Sequence, residues 1–224
     1  MFTSDDGFIV KSISAGVHGH YLIDAGSSGA SGLLVGFHGY GENAERHLQE
    51  LRRIPAAGWR LASVQALHPF YIQKTGEVVA SWMTKLDRER AIDDNLDYVR
   101  TVVLDIEREY GPAGRLVYLG FSQGAAMAYR AAAGGGRASG VIALAGDIPP
   151  ELRNGSTRFP AVLVARGQDD TWYTDDVMSR DVEFLNSRRV PVETLTFDGG
   201  HEWTDAFRKA AGRFLQHVSA GPRG

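Results

Sequence analysis

The sequence contains no cysteine among its 224 residues. Disulfide frameworks, cysteine-ligated zinc or iron–sulfur sites and cysteine nucleophiles are therefore excluded. An excess of one charge sign is also lacking, because 24 Lys and Arg residues stand against 27 Asp and Glu residues and leave a net charge of −3. So small a balance gives no general attraction to nucleic acid or to an anionic membrane, and we expect no nucleic-acid partner.

Long apolar runs are absent as well. No stretch approaches the ~20 residues needed to cross a bilayer, so we expect no stable membrane insertion. Residues 1–11 contain Asp5 and Asp6 and lack the basic segment and apolar core of a signal peptide, which favours a cytoplasmic protein. The length allows one domain with a substantial core, and we expect residues 1–224 to form that single domain.

Short apolar runs alternate with helical patterns along most of the chain. Residues 33–37, 60–64 and 116–119 are typical of buried strands. Residues 87–109 carry an apolar stripe with spacings of three and four residues, which predicts a long amphipathic helix. This alternation predicts β–α–β units, so we expect an α/β fold with a mainly parallel central sheet of about eight strands and helices on both faces.

Two segments are predicted to lie outside this alternation. Residues 8–13 and 20–23 are short apolar runs that we expect to form a hairpin. Residues 65–85 follow neither the strand period nor the helix period and contain Pro69 and Gly76, so we expect an irregular insertion. This insertion is too short for a separate cap domain, which favours an open cleft.

The motif that points most clearly to chemistry is G-x-S-x-G at residues 120–124. A strand pattern precedes it and an alanine-rich helical pattern follows it, so Ser122 is predicted to lie on a tight turn from strand to helix. Such a turn strains the serine backbone and leaves no room for side chains at positions 120 and 124. The hydroxyl then points toward the positive N-terminus of a helix. We predict that Ser122 is a nucleophile.

A serine nucleophile needs a histidine base and a carboxylate that orients it. His201 and His217 are the two histidines that follow Ser122. His201 is favoured because it comes directly after the last predicted strand, and sites in open α/β sheets gather at the carboxyl ends of strands. Asp169 and Asp170 both follow the preceding strand, and spacing alone leaves them tied for the acid.

A second loop has the pattern of an oxyanion hole. Residues 38–41 read H-G-Y-G, follow an apolar strand and precede a helix. The backbone N–H groups of Tyr40 and Gln123 are the expected donors to the developing oxyanion. His38 is expected to be structural, because the chemistry of such a loop lies in its backbone.

Together these motifs resemble the phospholipase/carboxylesterase family of α/β hydrolases, which contains acyl-protein thioesterases and small bacterial carboxylesterases. The similarity extends from residue 33 to residue 214. It includes residues 37–43 (F-H-G-Y-G-E-N), residues 120–124 (G-F-S-Q-G) and residues 199–201 (G-G-H). The resemblance implies an α/β-hydrolase fold without a large cap domain.

The resemblance also implies hydrolysis of a small-molecule ester or thioester without a metal or other cofactor. In that family the acid follows a His-Gly-x-x-Asp pattern, which puts Asp170 rather than Asp169 at the acid position. Arg166 stands where the pattern has His. The chain length of the acyl group, the leaving group and the oligomeric state are left open.

Aromatic side chains near the expected site are candidates for the walls of an acyl pocket. They are Tyr71, Trp82, Trp172 and Tyr173. Because aromatic residues also fill cores, we expect about half of them to contact substrate. Two alternatives remain: a dienelactone-hydrolase-like enzyme, which would usually carry a cysteine nucleophile, and a non-catalytic binding module, which would be expected to have a broken triad.

Overall fold

The structure, a computed structural model, describes residues 9, 11–27, 29–154 and 157–220. Strands and helices alternate along most of the described chain. In order they are β1 (Tyr21–Asp24), β2 (Gly32–Phe37), α1 (Ala44–Arg52), β3 (Trp59–Val64), β4 (His68–Tyr71), β5 (Val78–Ser81), α2 (Arg88–Tyr110), β6 (Arg115–Phe121), α3 (Gln123–Gly135), β7 (Gly140–Leu144), α4 (Pro150–Arg153), β8 (Ala161–Gly167), α5 (Asp175–Ser187), β9 (Val192–Phe197) and α6 (Asp205–Ala220).

A seven-stranded sheet in the order β1-β3-β2-β6-β7-β8-β9 forms the centre of the described chain. Every neighbouring pair in it is parallel except β1 and β3, which are antiparallel. The expected α/β fold with a mainly parallel sheet is confirmed, with seven strands rather than about eight. No cap domain is inserted in the described residues.

Helices cover both faces of the sheet because its strands are apolar on both faces. In β6, Leu116 and Tyr118 contribute to one apolar core, and Val117 and Leu119 contribute to the other. Successive side chains of a strand point to opposite faces, so a continuous apolar run serves two cores. Helices α2, α3 and α5 pack on the first core, and α1 and α6 pack on the second.

The predicted hairpin near the start of the chain is wrong for the residues that the structure describes. Residues 11–20 form no strand, and β1 instead pairs antiparallel with β3 at the edge of the sheet. Phe8 and Val10 lie outside the described residues. The partner of β1 is distant in sequence, with Tyr21 opposite Val64, so no local pattern could indicate the pairing.

The segment 65–85 is not irregular, as the sequence suggested, but contains an antiparallel hairpin of β4 and β5. Its residues are largely exposed on β4, so the alternation that marks a half-buried strand is missing. The Gly41 N–H donates to the Ala80 carbonyl at 3.0 Å, and the Ala80 N–H donates to the Glu42 carbonyl at 2.9 Å. The hairpin therefore lies directly beside the predicted oxyanion loop.

Candidate active site

Ser122 lies on the turn between β6 and α3. Its φ of +55° and ψ of −120° fall in a region that residues other than glycine rarely adopt. A Cβ added to Gly120 would lie 2.0 Å from the Gly124 carbonyl oxygen, and a Cβ on Gly124 would lie 2.0 Å from the Phe37 carbonyl oxygen. The structure therefore has the tight, glycine-dependent turn that the motif predicted.

The loop that follows β7 packs beneath this turn. The Ser122 N–H donates to the Leu144 carbonyl at 2.8 Å. A Cβ on Gly146 would lie 2.4 Å from the Ser122 carbonyl oxygen, so the two backbones touch. Ala145, next to Gly146, has a φ of +54°. The backbone at Ser122 is thus held by the close packing of Gly120 and Gly124 within its own turn and by the loop that follows β7.

Asp170 and His201 form a hydrogen-bonded pair at the same edge of the sheet. Nδ1 of His201 lies 2.8 Å from Oδ2 of Asp170. The other carboxylate oxygen, Oδ1, accepts the backbone N–H groups of Trp172 at 2.8 Å and Tyr173 at 3.0 Å. Asp170 is only 3% exposed, so its carboxylate is fixed by three donors in a site with little water.

Asp169 is exposed and contributes only its backbone N–H, which donates to the Gly199 carbonyl at 3.0 Å. Of the two candidate acids, Asp170 is therefore the one whose side chain contacts His201. The backbones of the acid loop and the histidine loop also touch. A Cβ on Gly167 would lie 2.2 Å from the Gly200 carbonyl oxygen.

Ser122 follows β6 and His201 follows β9, and both strands end at the same edge because they are parallel in one sheet. The rings of Phe121 and His201 are in contact, with centroids 5.0 Å apart. In the part of the chain that the structure describes, the Ser122 hydroxyl forms no hydrogen bond. A hydrogen bond between a nucleophilic serine and its histidine base is often long or poorly aligned until substrate binds.

His38 anchors the predicted oxyanion loop and is fully buried. Its Nε2 accepts the Ala66 N–H at 3.1 Å, so Nδ1 carries the ring proton and donates to the Gly39 carbonyl at 2.7 Å. Burial lowers the pKa of His38 to about 4, which keeps the ring neutral. His38 thus has the structural role that the sequence predicted.

The side chain of Gln123 joins the nucleophile turn to the segment after β5. Its Oε1 accepts the Trp82 N–H at 2.9 Å, and its Nε2 donates to the Met83 carbonyl at 3.1 Å. The Trp82 ring in turn donates from Nε1 to the His38 carbonyl at 2.9 Å. Sequence reasoning considered only the Gln123 backbone, because nothing in the local pattern indicates these partners, which are about 40 residues away in sequence.

Tyr40 follows Gly39 in the same loop. No protein group accepts its backbone N–H within the described residues, which leaves this donor available to a ligand. Tyr40 is 64% exposed, and its ring lies beside that of Phe70 of β4, with centroids 5.4 Å apart. The position of Tyr40 is therefore compatible with the predicted oxyanion role.

The four aromatic residues that were predicted to line a pocket divide into two pairs. Trp82 is 0% exposed and Tyr173 is 2% exposed, so neither forms the wall of an open cleft. Their prediction as substrate contacts is corrected to a structural role, because both are fixed in the interior by hydrogen bonds. Tyr71 and Trp172 are 70% and 83% exposed, and their contact with substrate stays a prediction.

Arg166 explains how the acid loop keeps its shape without the family's histidine at that position. The guanidinium is buried, with its Nε donating to the Tyr173 carbonyl at 2.9 Å and its Nη2 donating to the Gln168 carbonyl at 3.0 Å. These bonds hold the backbone on both sides of Asp170. Sequence analysis noted Arg166 but could not assign it this role.

The alternative base His217 lies on α6, where its Nδ1 is 3.0 Å from Oε1 of Glu193 at an exposed position.

Within residues 9, 11–27, 29–154 and 157–220, no group of three or more His, Cys, Asp or Glu side chains is arranged to hold a metal ion. Among the same residues, no helix is both long and apolar enough to cross a bilayer.

A mainly parallel sheet with a strained serine turn after a central strand defines an α/β hydrolase. The sequence profile of the Phospholipase/Carboxylesterase family matches residues 18–219. The chain therefore belongs to this family and is a hydrolase. Among curated protein sequences, none shows significant similarity to it.

Solved structures of hydrolases share the fold. Esterase PE8 is 21% identical, with a TM-score of 0.73 over 90% of this chain and 100% of that one. The Bacillus cereus carboxylesterase is 16% identical, with a TM-score of 0.71 over 89% and 94% of the two chains. The Zea mays acyl-protein thioesterase 2 is 18% identical, with a TM-score of 0.71 over 90% and 99%. At these identities the likeness is one of fold.

Proposed function

We propose that the protein is a serine hydrolase that cleaves carboxylic esters or thioesters with Ser122, His201 and Asp170. The observation that carries the proposal is the combination of a strained serine turn with a His201–Asp170 pair 2.8 Å apart at the same sheet edge. Membership of the phospholipase/carboxylesterase family supports a small-molecule ester as the substrate class.

The reaction has two steps. In the first, His201 takes the hydroxyl proton of Ser122 as its oxygen attacks the carbonyl carbon, and then returns the proton to the leaving alcohol or thiol. In the second, His201 takes a proton from water as the water oxygen attacks the carbonyl carbon of the acyl-enzyme. The proton then passes to the Ser122 oxygen as the carboxylic acid leaves. Asp170 holds the imidazole and stabilises its charged form.

The oxyanion of each tetrahedral intermediate is stabilised by backbone N–H groups. Those of Tyr40, in the loop after β2, and Gln123, the first residue of α3, are the donors that we propose. The bonds from the Gln123 side chain to residues 82 and 83 hold the second donor against the segment after β5. The geometry thus supports acyl transfer with backbone donors at the oxyanion.

Substitution of Ser122 tests the proposal directly. The wild-type protein is incubated with a fluorophosphonate probe, the labelled residue is identified by mass spectrometry, and turnover is measured on p-nitrophenyl esters and matched thioesters of increasing chain length. We expect labelling at Ser122, and we expect Ser122→Ala to abolish it and to lower turnover by about 10⁴- to 10⁶-fold.

Ser179→Ala is the matched control, because Ser179 is an exposed serine on α5. It should label and turn over like the wild type. A Ser122→Ala protein with near wild-type turnover would refute the assignment of the nucleophile. A wild-type protein that neither labels nor turns over any ester would favour the non-catalytic binding module.

Two organisational predictions belong to the same proposal. We propose that residues 1–224 act as one catalytic domain, since one sheet carries the proposed catalytic residues. We also propose that the enzyme acts in the cytoplasm, which fractionation of the source cells with antibody detection would test. Recovery outside the cytoplasmic fraction would refute that location.

A further inference from the structure

A buried polar cluster lies between α5 and the loops that follow β7 and β8. Its centre is Asp181, which is 0% exposed. Oδ2 of Asp181 accepts the Tyr173 hydroxyl at 2.8 Å and the Ile148 backbone N–H at 3.2 Å. Oδ1 pairs with the guanidinium of Arg153. The mechanism described above assigns no role to any of these side chains.

Tyr173 links this cluster to the proposed catalytic acid. Its hydroxyl is bound to Asp181, while its backbone N–H donates to Oδ1 of Asp170 at 3.0 Å. Tyr173 is 2% exposed, so its ring is packed on all sides and has little freedom to move. The hydrogen bond from the Tyr173 hydroxyl to Asp181 therefore helps to fix the position of the Tyr173 N–H, which in turn holds Asp170.

Ile148 links the same carboxylate to the nucleophile turn. Its N–H is bound by Asp181 and lies in the loop of residues 145–149. That loop also contains Gly146, which packs so closely on Ser122 that a Cβ would lie 2.4 Å from the Ser122 carbonyl oxygen. Movement of this loop would therefore also shift the backbone of Ser122.

The burial of an acidic side chain here is energetically unfavourable. Burial raises the pKa of Asp181 to about 6, although the Tyr173 hydroxyl, Arg153 and the Ile148 N–H all oppose the rise. The nearby charge of Asp147 raises the pKa of Asp181 further. The buried Tyr129 hydroxyl, which also lies near Asp181, has no hydrogen-bond partner in the described residues. An apolar side chain would fill the space at less cost but could not bind donors from two loops.

We propose that Asp181 is a positioning residue for the reaction, which holds the acid loop through Tyr173 and the loop beneath Ser122 through Ile148 in one fixed arrangement. This inference rests on the proposed roles of Ser122, His201 and Asp170. Asp181 touches none of the reacting atoms and acts only through the loops that it joins.

Two substitutions test the inference. Asp181→Asn keeps the shape, but in either orientation its NH2 group faces a donor. Turned toward the loops, the NH2 group replaces the acceptor of the Tyr173 hydroxyl and the Ile148 N–H; turned toward Arg153, it meets the guanidinium, which pushes the side chain out of place. Tyr173→Phe removes the hydroxyl while leaving the backbone N–H that holds Asp170 in place. We expect each to lower kcat by about 10- to 100-fold with KM within about twofold, because a shift of about 1 Å in catalytic groups has an effect of that size. The rate of fluorophosphonate labelling should fall in parallel.

Two controls separate positioning from loss of stability. Asp176→Asn changes an exposed carboxylate on the same helix and should leave kcat and labelling unchanged. Val99→Ala removes packing from the buried face of α2 and should lower the melting temperature without lowering kcat. All proteins are assayed well below their melting temperatures.

The inference is overturned if both Asp181→Asn and Tyr173→Phe retain wild-type kcat, or if they lose no more kcat than Val99→Ala at an equal loss of stability. If Asp181→Asn does not fold, Tyr173→Phe decides the question alone. A wild-type protein that is itself inactive toward esters and probe refutes the proposed function, and the positioning role with it. Wild-type activity together with unaffected variants refutes only the positioning role.

Discussion

Substitution of Asp170 by asparagine changes one atom of the carboxylate, and the surrounding donors determine how the new amide must lie. Oδ1 of Asp170 faces the backbone N–H groups of Trp172 and Tyr173 at 2.8 and 3.0 Å. The amide oxygen of Asp170→Asn therefore takes the Oδ1 position, because its NH2 group would clash with two donors there. The NH2 group is then directed at Nδ1 of His201.

This orientation forces the wrong form of the imidazole. With a donor facing it, Nδ1 of His201 must accept, and the ring proton moves to Nε2, the nitrogen that has to receive the Ser122 proton. The charged imidazole also loses its carboxylate partner. We expect kcat to fall by about 10⁴-fold, which equals about 5.5 kcal/mol of activation free energy at about 1.36 kcal/mol per factor of ten.

The assay is steady-state hydrolysis of one activated p-nitrophenyl ester at neutral pH, with the melting temperature as a check on folding. Asp169→Asn is the matched control, since Asp169 is exposed and takes part only through its backbone N–H. It should stay within several-fold of wild type. If Asp169→Asn is the more damaged variant, the acid assignment is wrong by one residue. If neither variant loses more than about tenfold, no carboxylate of this loop orients His201.

Two further predictions concern buried side chains near the site. His47 is 2% exposed, neither of its ring nitrogens has a hydrogen-bond partner among the described residues, and burial lowers its pKa to about 3. Because only the unfolded chain protonates His47 as pH falls below about 6.5, the residue lowers stability by about 2 kcal/mol at about pH 5. His47→Leu should remove that acid-dependent loss in urea unfolding, and an unchanged dependence on pH would contradict the assignment. Trp82→Phe leaves the buried His38 carbonyl without its donor at 2.9 Å, so urea unfolding should show a loss of about 1–3 kcal/mol, and kcat should fall several-fold as the loop before Tyr40 loosens. An unaltered kcat would show that Trp82 does not hold that loop.

The nucleophile turn could be predicted because its causes are local. Residues 120–124 supply the serine and both glycines, and the flanking strand and helix periods lie in the adjoining sequence. The structure shows a positive φ at Ser122 and no room for a Cβ at Gly120 or Gly124, as the motif requires. Backbone conformation at a turn depends mainly on the residues within it.

Exposure was the property that the sequence predicted least well. Trp82 and Tyr173 have the same aromatic character as Tyr71 and Trp172, yet the first pair is buried and the second is exposed. Aromatic side chains serve cores and pockets alike, so residue type alone cannot distinguish the two. The hairpin in residues 65–85 was missed for a related reason, since its exposed β4 strand carries no burial pattern.

The sequence by itself determined the fold class, the alternation of strands and helices outside residues 8–23 and 65–85, and the turn that presents Ser122, because each depends on periodicity or on adjacent residues. The tertiary structure decided which of Asp169 and Asp170 meets His201, and it joined Asp181 to Ile148 and Tyr173 on two other loops. The physical reason is that the direction of a side chain on a loop is set by hydrogen bonds to groups distant in sequence. Such contacts exist only after the sheet has brought the carboxyl ends of its strands together.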